Sequence, residues 1–168
     1  MRVALALAIP VTAALLQGSL VPFITVAGAR PNLPLLVAAS WSVAAGAREG
    51  VWWAFIGGLA ADLLSGGPLG ALALAALGPV AAVGLAEQTP GRPRTVLTGA
   101  LLVAAATAAA NLLYLGLVAA VGQPLSDPVL RAGAAIAGGV FNGVLAIATY
   151  PIARIARRAT EKQASFGW

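Results

Sequence analysis

The side chains that could carry chemistry in this chain are few, and they are concentrated in residues 46–70. This stretch combines a charged turn, Arg48-Glu49, with a short apolar helix that contains Asp62 and with a Gly/Pro-rich turn after it. The other long apolar segments have no charge in their interior. A carboxylate inside an apolar helix costs about 2.5–3.5 kcal/mol at the centre of a bilayer. Asp62 is therefore the first candidate for a functional residue.

Composition defines the class of protein. Charged residues make up 9% of the 168 residues, hydrophobic residues make up 60%, and the mean hydropathy is +0.93. Soluble globular proteins carry roughly 25% charged residues, so this chain could not cover a soluble surface. We expect an all-α integral membrane protein with a single polytopic domain over residues 1–168.

The residue types exclude most enzyme chemistry. There is no cysteine and no histidine, which removes thiol nucleophiles, histidine metal ligands and histidine-based triads. The sequence contains no HExxH, no closely paired carboxylates, no GxSxG and no phosphate loop. We therefore expect no enzyme activity, no metal and no cofactor. The net charge of +5 is better explained by basic residues that flank membrane segments than by a nucleic-acid partner.

The apolar segments predict about six transmembrane helices. They cover residues 3–26, 32–47, 50–64, 69–86, 95–121 and 128–155, and a basic tail follows over residues 156–168. The first segment also resembles a signal peptide with a possible cleavage site at residues 27–29. Its apolar run exceeds the 7–15 residues typical of a signal core, which favours a retained helix. Pro79 predicts a kink or break in the fourth segment.

The second and third segments are short and are joined by the charged turn, which predicts a helical hairpin tucked against other helices. Pro31 and Pro34 fit the first turn of the second segment. After the turn, Trp52 and Trp53 fit the cytoplasmic aromatic belt of a membrane protein.

The distribution of basic residues predicts that both termini are cytoplasmic. With six spans, eight basic residues lie inside and two lie outside. The inside set is Arg2, Arg48, Arg92, Arg94, Arg154, Arg157, Arg158 and Lys162, and the outside set is Arg30 and Arg131. The basic tail could bind anionic lipid at about 1 kcal/mol per residue, or it could act only as a topological stop.

Asp62 has two possible roles. It follows Glu49 by 13 residues, about 20 Å along a helix, which places it in the outer part of the bilayer. It could serve as an ion or proton relay. It could instead be a structural or partner-anchoring acid, bonded to the backbone N–H groups of residues 65–67 or to Arg30 or Arg131. Of these two, we favour the structural or partner-anchoring role.

Small residues predict close helix packing. Gly58 lies in the third segment, and the sixth segment carries a GxxxG motif beside a second small-residue row with a mid-span amide. These positions are Gly138, Gly139, Asn142 and Gly143. We expect packing inside the protein, with contact to another subunit as the alternative. Asn111 and Asn142 are expected to fix helix register.

The order of motifs between residues 30 and 70 resembles the MreD family of rod shape-determining proteins. In that family a Pro-Asn or Pro-Asp pair precedes a short Leu-rich segment. A Gly, an acidic-Gly turn, a G-x-x-x-D-x-x-S-G helix end and P-L-G follow. The matching positions here are Pro31, Asn32, Gly46, Glu49, Gly50, Gly58, Asp62, Ser65, Gly66, Pro68, Leu69 and Gly70.

This resemblance implies a six-helix protein of the bacterial cytoplasmic membrane that belongs to the cell-elongation machinery and has no catalytic activity. The implied partners are MreC, with RodA, a class B penicillin-binding protein and MreB nearby. It further implies the fold of the substrate-binding subunits of energy-coupling-factor (ECF) vitamin transporters.

We therefore expect a scaffold that binds MreC and supports peptidoglycan synthesis, with the hairpin of residues 31–64 as its platform. The alternative is an ECF-type vitamin-binding subunit. That function would need a solute pocket near the outer face, where the sequence offers few polar or aromatic groups. An intramembrane enzyme is a third, weaker hypothesis because nucleophile–base pairs are missing.

Overall fold

The computed structural model describes residues 2–25, 28–86 and 95–165. Within these ranges the chain forms six α-helices, one short 3-10 helix and no β-strand, which confirms the all-helical prediction. The helices are α1 (Arg2–Ser19), α2 (Leu33–Ala45), α3 (Ala47–Ser65), α4 (Ala71–Leu85), α5 (Val96–Ala120) and α6 (Pro128–Ser165), and the 3-10 helix is Val21–Phe23. The predicted loop 87–94, with Arg92 and Arg94, and residue 27 of the possible cleavage site lie outside the described residues.

The connection between α2 and α3 is a single residue. Gly46 has a φ of 100° and a ψ of 163°, a conformation that L side chains rarely adopt, and it lets the chain reverse at once. Arg48 and Glu49 therefore form the first turn of α3 and not a separate charged turn. The acid in this turn complements the positive end of the helix dipole.

The last helix is longer than predicted, because α6 continues through Pro151 to Ser165. Arg154, Arg157 and Arg158 lie on a helix, whereas the sequence predicted a tail from residue 156. Arginine is a good helix former, and Arg157 donates a hydrogen bond to the carbonyl of Ala44 at the end of α2. Both features favour a continued helix.

The fourth segment is also continuous, since α4 runs through Pro79 without the expected break. Proline is tolerated inside a membrane helix when neighbouring helices hold the chain on both sides. Here α4 packs against α2, α3 and α5.

Helix α2 forms the centre of the bundle. It contacts all five other helices, which follow one another around it in the order α1, α3, α4, α5, α6. Ten of its 13 residues are buried, and Leu35 and Val43 pack in one core cluster with Val80, Val103 and Tyr150. Helices α1 and α6 form the two ends of this arc, and their described residues do not contact each other.

Among the described residues, two helices are long and apolar enough to cross a membrane by themselves, namely Val96–Ala120 and the Pro128–Thr160 part of α6. Helices α2 and α4 are apolar but shorter, at 13 and 15 residues. Thirteen residues extend only about 20 Å, against about 30 Å of hydrocarbon core. Because α2 is enclosed by other helices, its polar ends meet protein groups.

Candidate functional site

A cavity of about 460 Å³ opens among α1, α3, α5 and α6. It lies where α1 and α3 end and where α2 and α6 begin. Small and apolar side chains form much of its wall. Its polar lining consists of Gln17, Asn32, Asp62, Ser65, Asn111, Tyr114 and Arg131.

The sequence predicted few polar or aromatic groups near the outer face, whereas this cavity has several polar residues and the aromatic Tyr114 in its lining. The lining residues come from separate helices, and most are isolated polar residues within apolar segments. Sequence reasoning missed Tyr114 altogether. The signal for it was the one aromatic residue in the apolar run of α5.

Asp62 is a buried acid that joins α3 to α4. Its side chain is 3% exposed, and its carboxylate accepts hydrogen bonds from the backbone N–H groups of Leu72, at 3.0 Å, and Ala73, at 3.4 Å. Both donors lie in the first turn of α4, where helix N–H groups have no partner within the helix. The carboxylate therefore caps α4 from outside, and the positive end of that helix stabilises its charge.

The sequence-based assignment of the Asp62 partners was wrong. The carboxylate bonds to α4 and not to the N–H groups of residues 65–67. Ser65 instead donates from its hydroxyl to the Asp62 backbone carbonyl, at 3.3 Å. Arg30 and Arg131 were the expected counter-charges, and no basic side chain of the described residues forms an ion pair with Asp62.

The remaining motif residues build the corner between α3 and α4. A Cβ atom at Gly58 would lie 2.6 Å from the Cα of Ala73, so the two helices touch through backbone. Gly66 and Gly70 have φ values of 68° and 85°, in the left-handed region that glycine adopts without strain. Pro68 accepts a hydrogen bond at its carbonyl from the N–H of Ala71. The motif thus specifies one tight turn and one close helix contact.

Asn32 is the centre of a polar network at the base of the cavity. It caps α2, because its side chain accepts from the N–H of Leu35 at 3.3 Å. Its own backbone N–H donates to Oδ1 of Asn142 at 3.1 Å, and Nδ2 of Asn142 donates back to the Asn32 carbonyl at 2.8 Å. This reciprocal pair joins the start of α2 to the middle of α6.

Three further side chains extend the network to α1 and α5. Nδ2 of Asn32 donates to Asn111 at 3.2 Å, and Nδ2 of Asn142 donates to the Thr107 hydroxyl at 3.2 Å. Gln17 accepts from the N–H of Leu33 at 2.8 Å and donates to the carbonyl of residue 31 at 3.1 Å. The network therefore connects four helices, and it places Pro31 and Asn32 beside the cavity.

The small residues of α6 contact α5. Cβ atoms at Gly139 and Gly143 would lie 2.6 Å and 2.8 Å from the Cβ atoms of Ala108 and Ala104, respectively. A Cβ at Gly138 would lie 3.1 Å from the Arg30 carbonyl. These positions are occupied by packing within the chain, which leaves no space there for a second subunit.

A second polar cluster lies at the opposite end of the bundle. Nε1 of Trp41 donates to Glu49 at 2.9 Å, and the Trp41 ring stacks on Trp53 with centroids 4.5 Å apart. Trp53 is 7% exposed, so its predicted place in the aromatic belt is wrong. Trp52 is 62% exposed and keeps the position expected of a belt residue.

Removing the Glu49 carboxylate is expected to loosen this cluster. We expect Glu49→Ala to lower the free energy of unfolding by about 1 kcal/mol, because Trp41 loses its acceptor. Glu49→Gln keeps a carbonyl oxygen and should lose less. Thermal unfolding in detergent, followed by tryptophan fluorescence, measures the change. Arg48→Gln is the control, and an equal loss in that variant would contradict the assigned role of the hydrogen bond.

The comparisons with known proteins agree with the motifs. The family model for the rod shape-determining protein MreD matches residues 1–154 of the 168. No curated protein and no solved structure matches the chain. The family match includes all six α-helices, although α6 extends beyond its end. The chain therefore belongs to the MreD family of rod shape-determining membrane proteins.

Proposed function

We propose that this protein is a non-catalytic scaffold of the bacterial rod-shape machinery. In this proposal it binds MreC in the cytoplasmic membrane and supports peptidoglycan synthesis, with RodA, a class B penicillin-binding protein and MreB close by. The observation that carries the proposal is the family match over residues 1–154. The interior arrangement supports it, since the motif residues serve helix packing and capping.

The proposed topology has six spans with both termini in the cytoplasm. The excess of basic residues on the inner side supports this orientation. Large apolar side chains such as Leu101 and Val140 are about 60% exposed, as expected of helices that face lipid. In this orientation the cavity lies near the outer face, and the cluster around Glu49 lies near the inner face.

The proposed contact with MreC must differ from the one expected from sequence. Gly58 and Asp62 contact α4, and α2 is enclosed, so the hairpin of residues 31–64 offers a partner only the outward face of α3. Trp52, Phe55 and Leu63 share this face at helical spacing and are 62%, 39% and 68% exposed. Exposed aromatic side chains are typical anchors of protein interfaces. We place the membrane helix of MreC along this stripe.

Truncating the stripe tests the proposed function. The double substitution Trp52→Ala/Leu63→Ala should reduce the MreC recovered in a mild-detergent pull-down by about tenfold, the effect of losing roughly 1.4 kcal/mol of binding free energy. Leu101→Ala on α5 is the matched control, because Leu101 is 62% exposed and lies on another face. Unchanged MreC recovery by the double variant would contradict the α3 interface. Failure of the unmodified protein to recover MreC would contradict the scaffold itself.

A second candidate function is the substrate-binding subunit of an ECF-type vitamin transporter, which would use this cavity as its solute site. Cavities of 300–1,000 Å³ with a few placed polar groups are typical of small-molecule sites, and this cavity falls in that range. The same pull-down distinguishes the two functions. Recovery of paired ATPases with a coupling membrane subunit would support the transporter.

A further inference from the structure

The cavity contains three polar groups whose capacity for hydrogen bonds is not fully used by the described residues. The amides of Gln17, Asn32 and Asn111 each donate and accept inside the network. In contrast, the hydroxyl of Tyr114 has no hydrogen-bond partner among the described residues. Asp62 and Arg131 are the other two, and they carry opposite charges.

Asp62 supplies a negative charge that no cation among the described residues pairs. Within this part of the chain its carboxylate receives only backbone N–H groups, and a carboxylate has more acceptor sites than these donors fill. A buried charge without a counter-charge is costly, more so within a membrane. Because Asp62 lines the cavity, a cationic donor bound there would lower this cost.

Arg131 supplies a positive charge on the α6 side of the same cavity. Its Nε and one terminal nitrogen donate to the backbone carbonyl and hydroxyl of Ser126, at 2.9 Å and 3.0 Å. A guanidinium has five N–H groups, so donors remain for an anion. Arginine in this setting suits a phosphate.

The helices that line the cavity favour an amphiphile that enters from the bilayer. Helices α1 and α6 form two of its walls, and their described residues do not contact each other. Small residues line both of these walls, among them Gly18 and Ala134. An acyl chain could pass between these helices, while a headgroup stays with the charged residues.

We propose that this cavity binds the headgroup of a zwitterionic phospholipid that carries a primary ammonium, with the ammonium at Asp62 and Tyr114 and the phosphate at Arg131. The acyl chains leave between α1 and α6. A quaternary ammonium has no N–H to donate, and Tyr114 is the only aromatic side chain that the described residues contribute to the lining, so they form no cage for such a group. A headgroup without a cation leaves Asp62 with no compensation beyond the positive end of α4.

Native mass spectrometry of the purified full-length protein tests this site. The protein is stripped of lipid and offered an equimolar mixture of phosphatidylethanolamine, phosphatidylcholine and phosphatidylglycerol with identical acyl chains. We expect phosphatidylethanolamine to be retained about tenfold over each of the other two. Asp62→Asn and Tyr114→Phe should both reduce this preference, and Arg131→Gln should reduce retention of all three lipids. Glu49→Gln, at the other end of the bundle, should behave as the unmodified protein.

Equal retention of the three lipids by the unmodified protein would overturn the proposal. So would a preference that survives in Tyr114→Phe, a variant that keeps the ring and needs no refolding of the α3–α4 corner. Soluble phosphoethanolamine should displace the bound lipid only weakly. If it displaces the lipid fully at equal concentration, the ligand of this cavity is a soluble amine and not a lipid, and the proposal is overturned. The measurement does not involve MreC, so its failure leaves the scaffold function unaffected.

Discussion

Replacing Gly58 by leucine is expected to lower the free energy of unfolding by about 3 kcal/mol. Gly58 faces the first turn of α4, where a Cβ would lie 2.6 Å from the Cα and 2.8 Å from the N of Ala73. These are backbone atoms, so no side chain can rotate away. Helix α4 would have to move as a unit, which would also pull the N–H groups of Leu72 and Ala73 away from Asp62.

A series of substitutions of different size tests this prediction. Gly58→Ala should cost less than Gly58→Leu, because only one methyl group must be accommodated. Gly116→Leu is the matched control on α5, where nothing lies within 4 Å of a Cβ. That change should be neutral or stabilising, since leucine favours a helix by close to 1 kcal/mol relative to glycine. Equal melting temperatures for Gly58→Leu and Gly116→Leu, measured by circular dichroism in detergent, would show that α3 and α4 do not pack as described.

The α3–α4 corner shows which features could be predicted from the sequence and which could not. The spacing of Gly58, Asp62, Gly66 and Gly70 correctly located a helix end and a turn, because glycine and an isolated acid mark such places. The partner of Asp62 was not predictable, since its donors are backbone N–H groups. Every residue except proline carries that donor, so the amino-acid types at Leu72 and Ala73 give no sign of the contact.

The cavity was missed for a related reason. Gln17, Tyr114 and Arg131 belong to three helices that are distant in the chain, and each lies in a largely apolar stretch. Their convergence depends on the order of helices around α2, which periodicity cannot supply. In the same way, Trp52 and Trp53 are adjacent and identical in type, and only the rotation of α3 decides which one stacks on Trp41.

Replacing Asn142 by leucine is expected to lower the free energy of unfolding by about 2–3 kcal/mol. Leucine has the branching of asparagine and larger methyl groups, so the substitution leaves no void, and the effect combines lost hydrogen bonds with some overpacking. The substitution leaves the N–H of Asn32 without its acceptor in an apolar interior, since Asn142 is fully buried. The Asn32 carbonyl keeps a second donor, the N–H of Leu36, so its loss is smaller. The Thr107 hydroxyl also loses a partner.

Asn111→Leu is the comparison variant. It tests whether the unpaired N–H of Asn32 causes most of the stability loss in Asn142→Leu. Asn111 bonds to the Asn32 side chain and to the carbonyl of Ala135, so its removal leaves no backbone N–H unpaired. Hydrogen bonds between membrane helices average about 0.6 kcal/mol each, which predicts a loss of about 1 kcal/mol for this variant. The two losses, measured by reversible unfolding in mixed micelles, should therefore differ by a factor of two or more. An equal or larger loss in Asn111→Leu would mean that side-chain bonds, and not the start of α2, hold this network together. In that event, the contact between α2 and α6 would depend on two hydrogen bonds further along α6. Thr149 bonds to Ser40, and Arg157 donates to the carbonyl of Ala44.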